Sequence, residues 1–133
     1  MERVNTILTG GVVVTMNKQF ELLFDGAVAI RDSQIVAVGP SDELAARYTA
    51  ETTVNCQNQY ILPGLVNAHT HVPMTLLRGL ADDLRLDVWL MGYMMPTERE
   101  FVNPHFCRLG TTLACAEMIR SGVTCFADMY YYE

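Results

Sequence analysis

The feature that most restricts the fold of this chain is a strand–helix–strand pattern in its second half. Residues 65–69 form a short, mainly apolar strand of the kind that lies in a parallel sheet. A helix capped by Asn103, with Pro104 at its first position and Ser121-Gly122 at its end, precedes a second strand at residues 123–129. Two strands joined through a long crossover with a helix form a β/α unit, so the sequence predicts an α/β fold.

The residues before this unit have a different character, and we assign residues 1–62 to a β-rich unit and residues 63–133 to the β/α unit. The boundary lies at Pro63-Gly64. Within the first unit the pattern predicts a β-prone run around Gly10-Gly11, a hairpin with its turn at residues 31–34, and a short helix capped by Ser41. The predicted strands lie at residues 4–15, 27–30, 35–39, 52–56 and 60–62.

Between the two strands of the second unit, the pattern predicts further short helices at residues 73–80 and 87–94, separated by an acidic loop at residues 81–83. The long helix that starts at Pro104 carries apolar residues at helical spacing. They are Phe106, Leu109, Leu113 and Ala116.

Composition excludes several classes of protein. Half of the 133 residues are apolar and 18% are charged, which is typical of a folded protein. The formal charge of −6 disfavours a nucleic-acid groove, which needs clustered Lys and Arg, and favours a small-molecule partner. No apolar stretch is long enough to span a membrane, and the start lacks the order of a secretory signal, so we expect a cytoplasmic protein. Cys56, Cys107, Cys115 and Cys125 contain no C-x-x-C pair and are expected to be buried free thiols.

His69 and His71 are the most informative residues of the sequence. Side chains two positions apart on a strand point to the same face, so both imidazoles can reach one ion. Imidazole is a good ligand for zinc, iron or manganese, and two nitrogens make half of a tetrahedral zinc shell. The alternative is two histidines at a strand end that only bond to a loop. His105, early in the long helix, has no partner at ligand spacing and is expected to be a surface or packing residue.

Residues 63–71, Pro-Gly-Leu-Val-Asn-Ala-His-Thr-His, resemble the first-strand metal motif of the amidohydrolase superfamily. Together with residues 72–79, Trp89, residues 96–98 and residues 121–124, the chain is similar to the 5-methylthioadenosine/S-adenosylhomocysteine deaminase branch. The similarity runs over essentially the whole chain. Triazine hydrolases and guanine deaminases share much of it.

The resemblance implies a distorted (β/α)8 TIM-like barrel and a small β-sandwich made from both chain ends. It further implies one divalent metal, usually zinc, held by His69, His71, a later histidine and a late aspartate. The implied reaction is hydrolytic removal of ammonia from an adenine nucleoside, with a downstream glutamate that moves protons. A barrel takes about 250 residues. We therefore expect this chain to be a truncated N-terminal portion that is inactive by itself.

The resemblance also assigns a substrate-binding role to Glu98, which would accept hydrogen bonds from the ribose 2′ and 3′ hydroxyls. The alternative is a capping box at residues 97–100, in which Glu98 only favours a helix N-terminus. Trp89 either lines the nucleoside pocket or anchors its helix. Met91, Met94 and Met95 are expected to fill a core, and Asp128 is a weaker site candidate at the end of the second strand.

Two rival functions remain open on the sequence. One is a related amidohydrolase that acts on guanine, a triazine or another aromatic C–N bond. The other is a non-catalytic scaffold fragment that kept its histidines by descent. The identity of the metal, the preferred base and sugar, and whether the full-length protein forms a homo-oligomer are not decided by these residues.

Overall fold

The computed structural model of the protein describes residues 1–132, and the chain divides into two compact units, Met1–Pro63 and Gly64–Glu133. The elements of the first unit are β1 (Glu2–Val14), β2 (Leu22–Arg31), β3 (Gln34–Pro40), α1 (Ser41–Arg47), β4 (Tyr48–Asn55) and β5 (Tyr60–Ile61). Those of the second unit are β6 (Leu65–Thr70), a 3-10 helix (Val72–Leu77), α2 (Leu86–Val88), a π-helical turn (Trp89–Met94), α3 (Met95–Phe101), α4 (Pro104–Arg120) and β7 (Val123–Asp128).

The first unit is one five-stranded mixed sheet in the order β3-β2-β1-β4, with β5 also paired to β1. The predicted hairpin is confirmed: β2 and β3 are antiparallel, Arg31 pairs with Gln34, and Asp32 takes a positive φ of 53° in the turn. Gly10 has a φ of 81° where the register of β1 shifts, so the glycine pair marks a bulge within one long strand. The core of the unit consists of Val4, Ile7, Ala27, Ala29, Leu44 and Tyr48.

Two details of the first unit differ from the sequence-based expectation. The fourth strand starts at Tyr48 and not at residue 52, so it follows α1 directly. Ser41 does not cap α1, because its hydroxyl oxygen accepts from the Gly10 N–H and from the Thr9 hydroxyl at 3.1 and 3.0 Å. Pro40 takes the capping position.

The second unit contains the predicted parallel strand pair. β6 and β7 run parallel, and the crossover between them holds the α4 helix. Both predicted ends of α4 are confirmed: the Asn103 side chain accepts from the Phe106 N–H at 3.0 Å, and Gly122 has a φ of 78° just after the helix. Val66 is nevertheless 66% exposed, because β7 is the only strand paired with β6 among residues 1–132.

The α4 helix packs on the 3-10 helix through small residues. Cys107, Gly110 and Ala114 are buried, whereas Leu109 and Leu113 are 52% and 42% exposed. A methyl group added at Gly110 would lie 2.5 Å from the Pro73 carbonyl oxygen, so the glycine is what allows this approach. The apolar spacing of the sequence therefore predicts the helix correctly but marks a face that remains largely uncovered in the described residues.

The helical segments before α4 differ most from expectation. The region predicted as a helix at residues 73–80 is a 3-10 helix that ends at Leu77. The backbone is helical from Leu86 to Phe101, with a π-helical turn in the middle. Met94, directly before α3, itself has helical angles, so Thr97 does not cap a helix and the predicted capping box is wrong. Glu98 does lie in the first turn of α3, as that alternative expected.

None of the helices in residues 1–132 combines the length and the apolar character that crossing a bilayer requires.

Candidate active site

The two histidines of the sequence motif lie at the carboxyl end of β6. The rings of His69 and His71 are 5.1 Å apart between centroids and meet edge to face, at 78° between ring planes. His71 is half-buried and His69 is exposed. Nitrogens that share one zinc ion lie near 2 Å from it, so rings at this separation can converge on a single cation after small rotations.

A backbone contact defines the hydrogen position on His71. Its Nδ1 atom lies 2.6 Å from the main-chain oxygen of Met129, just beyond β7. A carbonyl oxygen only accepts, so Nδ1 carries a hydrogen, and in the neutral form of the ring Nε2 then keeps its lone pair. A neutral imidazole held in this way is the usual form of a histidine ligand. The donor chemistry of His71 therefore fits a divalent metal.

The described residues supply only some of the ligands that a metal ion needs. Across residues 1–132 there is no group of three or more His, Cys, Asp and Glu side chains that could hold a metal ion. The two imidazoles fit half of a tetrahedral shell.

Asp128, the last residue of β7, acts on the segment that follows His71. Its Oδ1 atom accepts from the backbone N–H of Val72 at 2.8 Å. The Met129 N–H donates to the Thr70 carbonyl at 3.2 Å, which continues the pairing of the two strands. Asp128 thus orders the turn into the 3-10 helix, and its Oδ1 atom is occupied by a backbone group.

One cavity of about 340 Å³ brings together three of the four residues singled out in the sequence, His71, Trp89 and Glu98. Its wall also includes Met94, which is buried, and Tyr130. The fourth residue, His69, touches this group through the ring of His71. The space is therefore bordered by an imidazole, a carboxylate, an indole and a thioether.

The π-helical turn explains how Trp89 and Glu98 come to line the same cavity. In an uninterrupted α-helix, residues nine positions apart lie about 180° apart around the axis, at about 100° per residue. A π-turn takes one extra residue, which reduces the separation to about 80°. Pro96 lacks the N–H that would continue α-type bonding, which accounts for the widened turn just before it.

Glu98 has a partner that the sequence did not point to. The Tyr130 hydroxyl donates to Glu98 Oε1 at 2.8 Å, and both groups are half-buried. Burial, and then the neighbouring Glu98 carboxylate, raise the pKa of Tyr130, so the phenol stays protonated and donates. Met129 is the last residue of the second predicted strand and Tyr130 directly follows it, and that position is the one signal by which they could have been found.

The other residues weighed in the sequence have mixed outcomes. Met94 is buried as expected, but Met91 and Met95 are exposed. All four cysteines are free, yet only Cys56 and Cys107 are buried. Burial, with a smaller contribution from Asp128, raises the pKa of the Cys107 thiol. His105 is exposed on α4, as expected for a surface residue.

The model of the amidohydrolase family matches residues 60–133, more than half of the chain and all of the candidate site. The chain belongs to the amidohydrolase family. A second model, described as the bacterial imidazolonepropionase-like composite domain, matches residues 26–50 of the first unit. The superfamily resemblance drawn from the histidine motif is thereby confirmed.

The known amidohydrolases most similar to this chain include deaminases. A curated 5-methylthioadenosine/S-adenosylhomocysteine deaminase of Syntrophus aciditrophicus is 46% identical over 133 residues, which are 100% of this chain and 30% of that protein. A crystal structure of an adenosine deaminase from Xanthomonas campestris with bound zinc has a TM-score of 0.94 and 44% identity, and it covers 98% of this chain and 30% of that chain.

A solved atrazine chlorohydrolase mutant from Arthrobacter aurescens, complexed with zinc and atraton, has a TM-score of 0.84 at 23% identity. It covers 96% of this chain and 29% of that one, and at this identity the likeness concerns the fold alone. The chain thus spans about 30% of the length of the curated deaminases it matches.

Proposed function

We propose that the protein containing this chain is a metal-dependent hydrolytic deaminase of adenine nucleosides. It would convert 5-methylthioadenosine or S-adenosylhomocysteine to the inosine analogue and ammonia. The chain would contribute two metal ligands, His69 and His71, and two substrate-binding residues, Glu98 and Trp89. The identity of 46% to a deaminase of this name supports the proposal.

The observation that carries it is the grouping around one cavity. His71 brings a nitrogen suited to a cation, Glu98 brings a carboxylate suited to hydroxyl groups, and Trp89 brings a flat apolar wall. A volume of about 340 Å³ lies within the range of small-molecule sites. A nucleoside presents the matching features, a planar base and a vicinal diol.

His69 and His71 would hold one divalent ion, zinc by preference and iron or manganese as alternatives. Such an ion, when bound, makes water acidic enough to act as a nucleophile near neutral pH. The chain's own part is to keep His71 in the tautomer that leaves Nε2 free, through the Met129 carbonyl. The remaining ligands and a proton-transferring glutamate would belong to other parts of a longer protein.

Glu98 would accept hydrogen bonds from the ribose 2′ and 3′ hydroxyls. A carboxylate offers two oxygens and about four lone-pair sites, so it can bind a cis diol through both hydroxyls. Charge-assisted bonds of this kind are stronger than neutral ones. Glu98 would thereby favour ribonucleosides over free bases and triazines.

The fold would be completed in the longer protein. We expect β6 and β7 to be the first two strands of a (β/α)8 barrel, which would cover the exposed apolar side chains of both strands. The sheet of residues 1–63 would form part of a sandwich. We expect this protein to be cytoplasmic, and a homo-oligomer remains one of its candidate states.

The proposed activity is tested by ammonia release from the purified full-length protein with 5-methylthioadenosine, S-adenosylhomocysteine, adenosine, guanine and a triazine. We expect release from the nucleosides, dependent on bound metal. His69→Ala and His71→Ala should each lose metal and activity. His105→Ala is the matched control, an exposed histidine of the same unit, and should keep both.

A full-length protein that binds no metal, and whose rate survives both changes, would favour a non-catalytic or unrelated role. Release from guanine or a triazine alone would favour the related hydrolase.

A further inference from the structure

The contact between Tyr130 and Glu98 joins two distant parts of the second unit. Glu98 lies on α3 and Tyr130 follows β7, 32 positions later, yet the phenol oxygen is 2.8 Å from Glu98 Oε1. Both residues line the cavity that also contains His71. This hydrogen bond therefore lies at the candidate substrate site itself.

The bond uses one of the two carboxylate oxygens and leaves the other available. Within residues 1–132, Glu98 Oε2 has no hydrogen-bond partner and the carboxylate forms no ion pair. A free glutamate side chain loses substantial rotamer entropy when a ligand immobilises it. A carboxylate already held at one oxygen has less of this entropy to lose.

We propose that Tyr130 is a positioning residue that holds Glu98 and presents its carboxylate to the ribose hydroxyls. The inference rests on the proposed ribose-binding role of Glu98 and adds to it the group that orients the carboxylate. Tyr130 would act on ribose recognition through Glu98, without contact with the reacting base.

The phenol is suited to this task because it remains a donor. A phenol is a neutral donor near neutral pH, so it adds no second negative charge beside Glu98. The ring is held separately, by edge contact with Tyr131 at 5.0 Å between centroids. Removal of the hydroxyl alone should therefore leave the ring in place.

Three consecutive residues, beginning with the last residue of β7, each hold a different part of the site. Asp128 accepts from the Val72 N–H, the Met129 carbonyl accepts from His71, and Tyr130 donates to Glu98. The end of β7 thus orients a metal-ligand candidate and a substrate-ligand candidate together. Because β7 pairs with β6, the same strand end lies beside His71 and beside Glu98.

The test compares Tyr130→Phe with the wild type in the metal-loaded, full-length protein. We expect KM for adenosine to rise about tenfold with kcat within about twofold, since a ground-state contact is lost. The effect on 2′-deoxyadenosine should be smaller, because one of the two hydroxyls is absent. In the Glu98→Gln background, Tyr130→Phe should raise KM for adenosine little further, because the two residues act as one unit.

Tyr93→Phe is the matched control. Tyr93 is a partly exposed tyrosine of the same unit with no hydroxyl hydrogen bond within residues 1–132, and its variant should match the wild type.

The outcomes separate this inference from the proposed function. If the wild type deaminates adenosine and Tyr130→Phe keeps its KM, the positioning role is overturned and the deaminase function stands. Equal effects on adenosine and 2′-deoxyadenosine, or full additivity with Glu98→Gln, would also overturn it, because a general packing role gives that result. If the wild type deaminates no ribonucleoside, both proposals fail.

Discussion

His71 and Met129 lie 58 positions apart in the chain, yet the histidine Nδ1 is 2.6 Å from the main-chain oxygen of Met129. The contact exists because β6 and β7 are parallel neighbours whose carboxyl ends meet at one edge. A main-chain carbonyl is present whatever residue occupies position 129. Orientation of the histidine therefore depends on the register of the strands more than on one side chain.

Asp128 should support the metal site through the backbone of Val72. Asp128→Ala leaves the N–H of a residue that is 1% exposed without its acceptor, at a cost of about 1–3 kcal/mol in unfolding free energy. Zinc affinity, measured against a competing chelator, should fall about tenfold. Asp128→Asn keeps an acceptor oxygen and should retain most of the unfolding free energy and most of the zinc affinity. Equal loss of zinc in the two variants would instead indicate that the carboxylate contacts the ion.

Trp89 should contribute to nucleoside binding through its flat surface. Trp89→Ala should raise KM for adenosine about tenfold, and Trp89→Phe should restore most of the binding, since a phenyl ring still offers an apolar face. Steady-state kinetics and thermal unfolding are measured together. A lower unfolding midpoint with unchanged KM would show that Trp89 anchors its helix and does not contact the substrate.

Gly110 should be intolerant of a side chain. Gly110→Ala forces a methyl group against the backbone of Pro73, so we expect a loss of about 1–3 kcal/mol in unfolding free energy. Gly92→Ala is the matched helical control, because no atom beyond its chain neighbours and the backbone of its own helix lies within 4 Å of the added methyl. It should be neutral or stabilise by up to about 1 kcal/mol. Similar losses in both variants would contradict the close packing of α4 on the 3-10 helix.

The ion pair between Arg78 and Glu117 should make stability depend on acid pH. The hydrogen bond from Arg78 lowers the pKa of Glu117 from its usual value of 4.5. The stability that the ion pair adds is fully present above pH 4.5 and is lost as pH falls through the lowered pKa of Glu117. Both side chains are exposed, so the effect should be small and screened by salt.

The measurement for this ion pair is the difference in unfolding midpoint between the wild type and Glu117→Gln. The difference should shrink between about pH 5 and pH 3 and in about 1 M salt. A difference that is independent of pH would mean that Glu117 acts through packing.

The elements of the fold were largely predictable because they depend on local chemistry. Asn103 and Gly122 delimit α4, and the alternation of apolar residues marks the strands. The helical segment at residues 86–101 was predicted less well. Its π-turn depends on Pro96 and on packing, and the 3.6-residue spacing of apolar side chains does not predict it.

The sequence by itself determined that two imidazoles point to one side of a strand end, because a strand alternates its side chains with a period of two. It also determined the β/α crossover and the ends of the long helix. Tertiary structure decided that Glu98, Trp89 and Tyr130 share the cavity of His71. These contacts join residues far apart in the chain, and they depend on strand register and on the extra residue of a π-turn, neither of which local periodicity encodes.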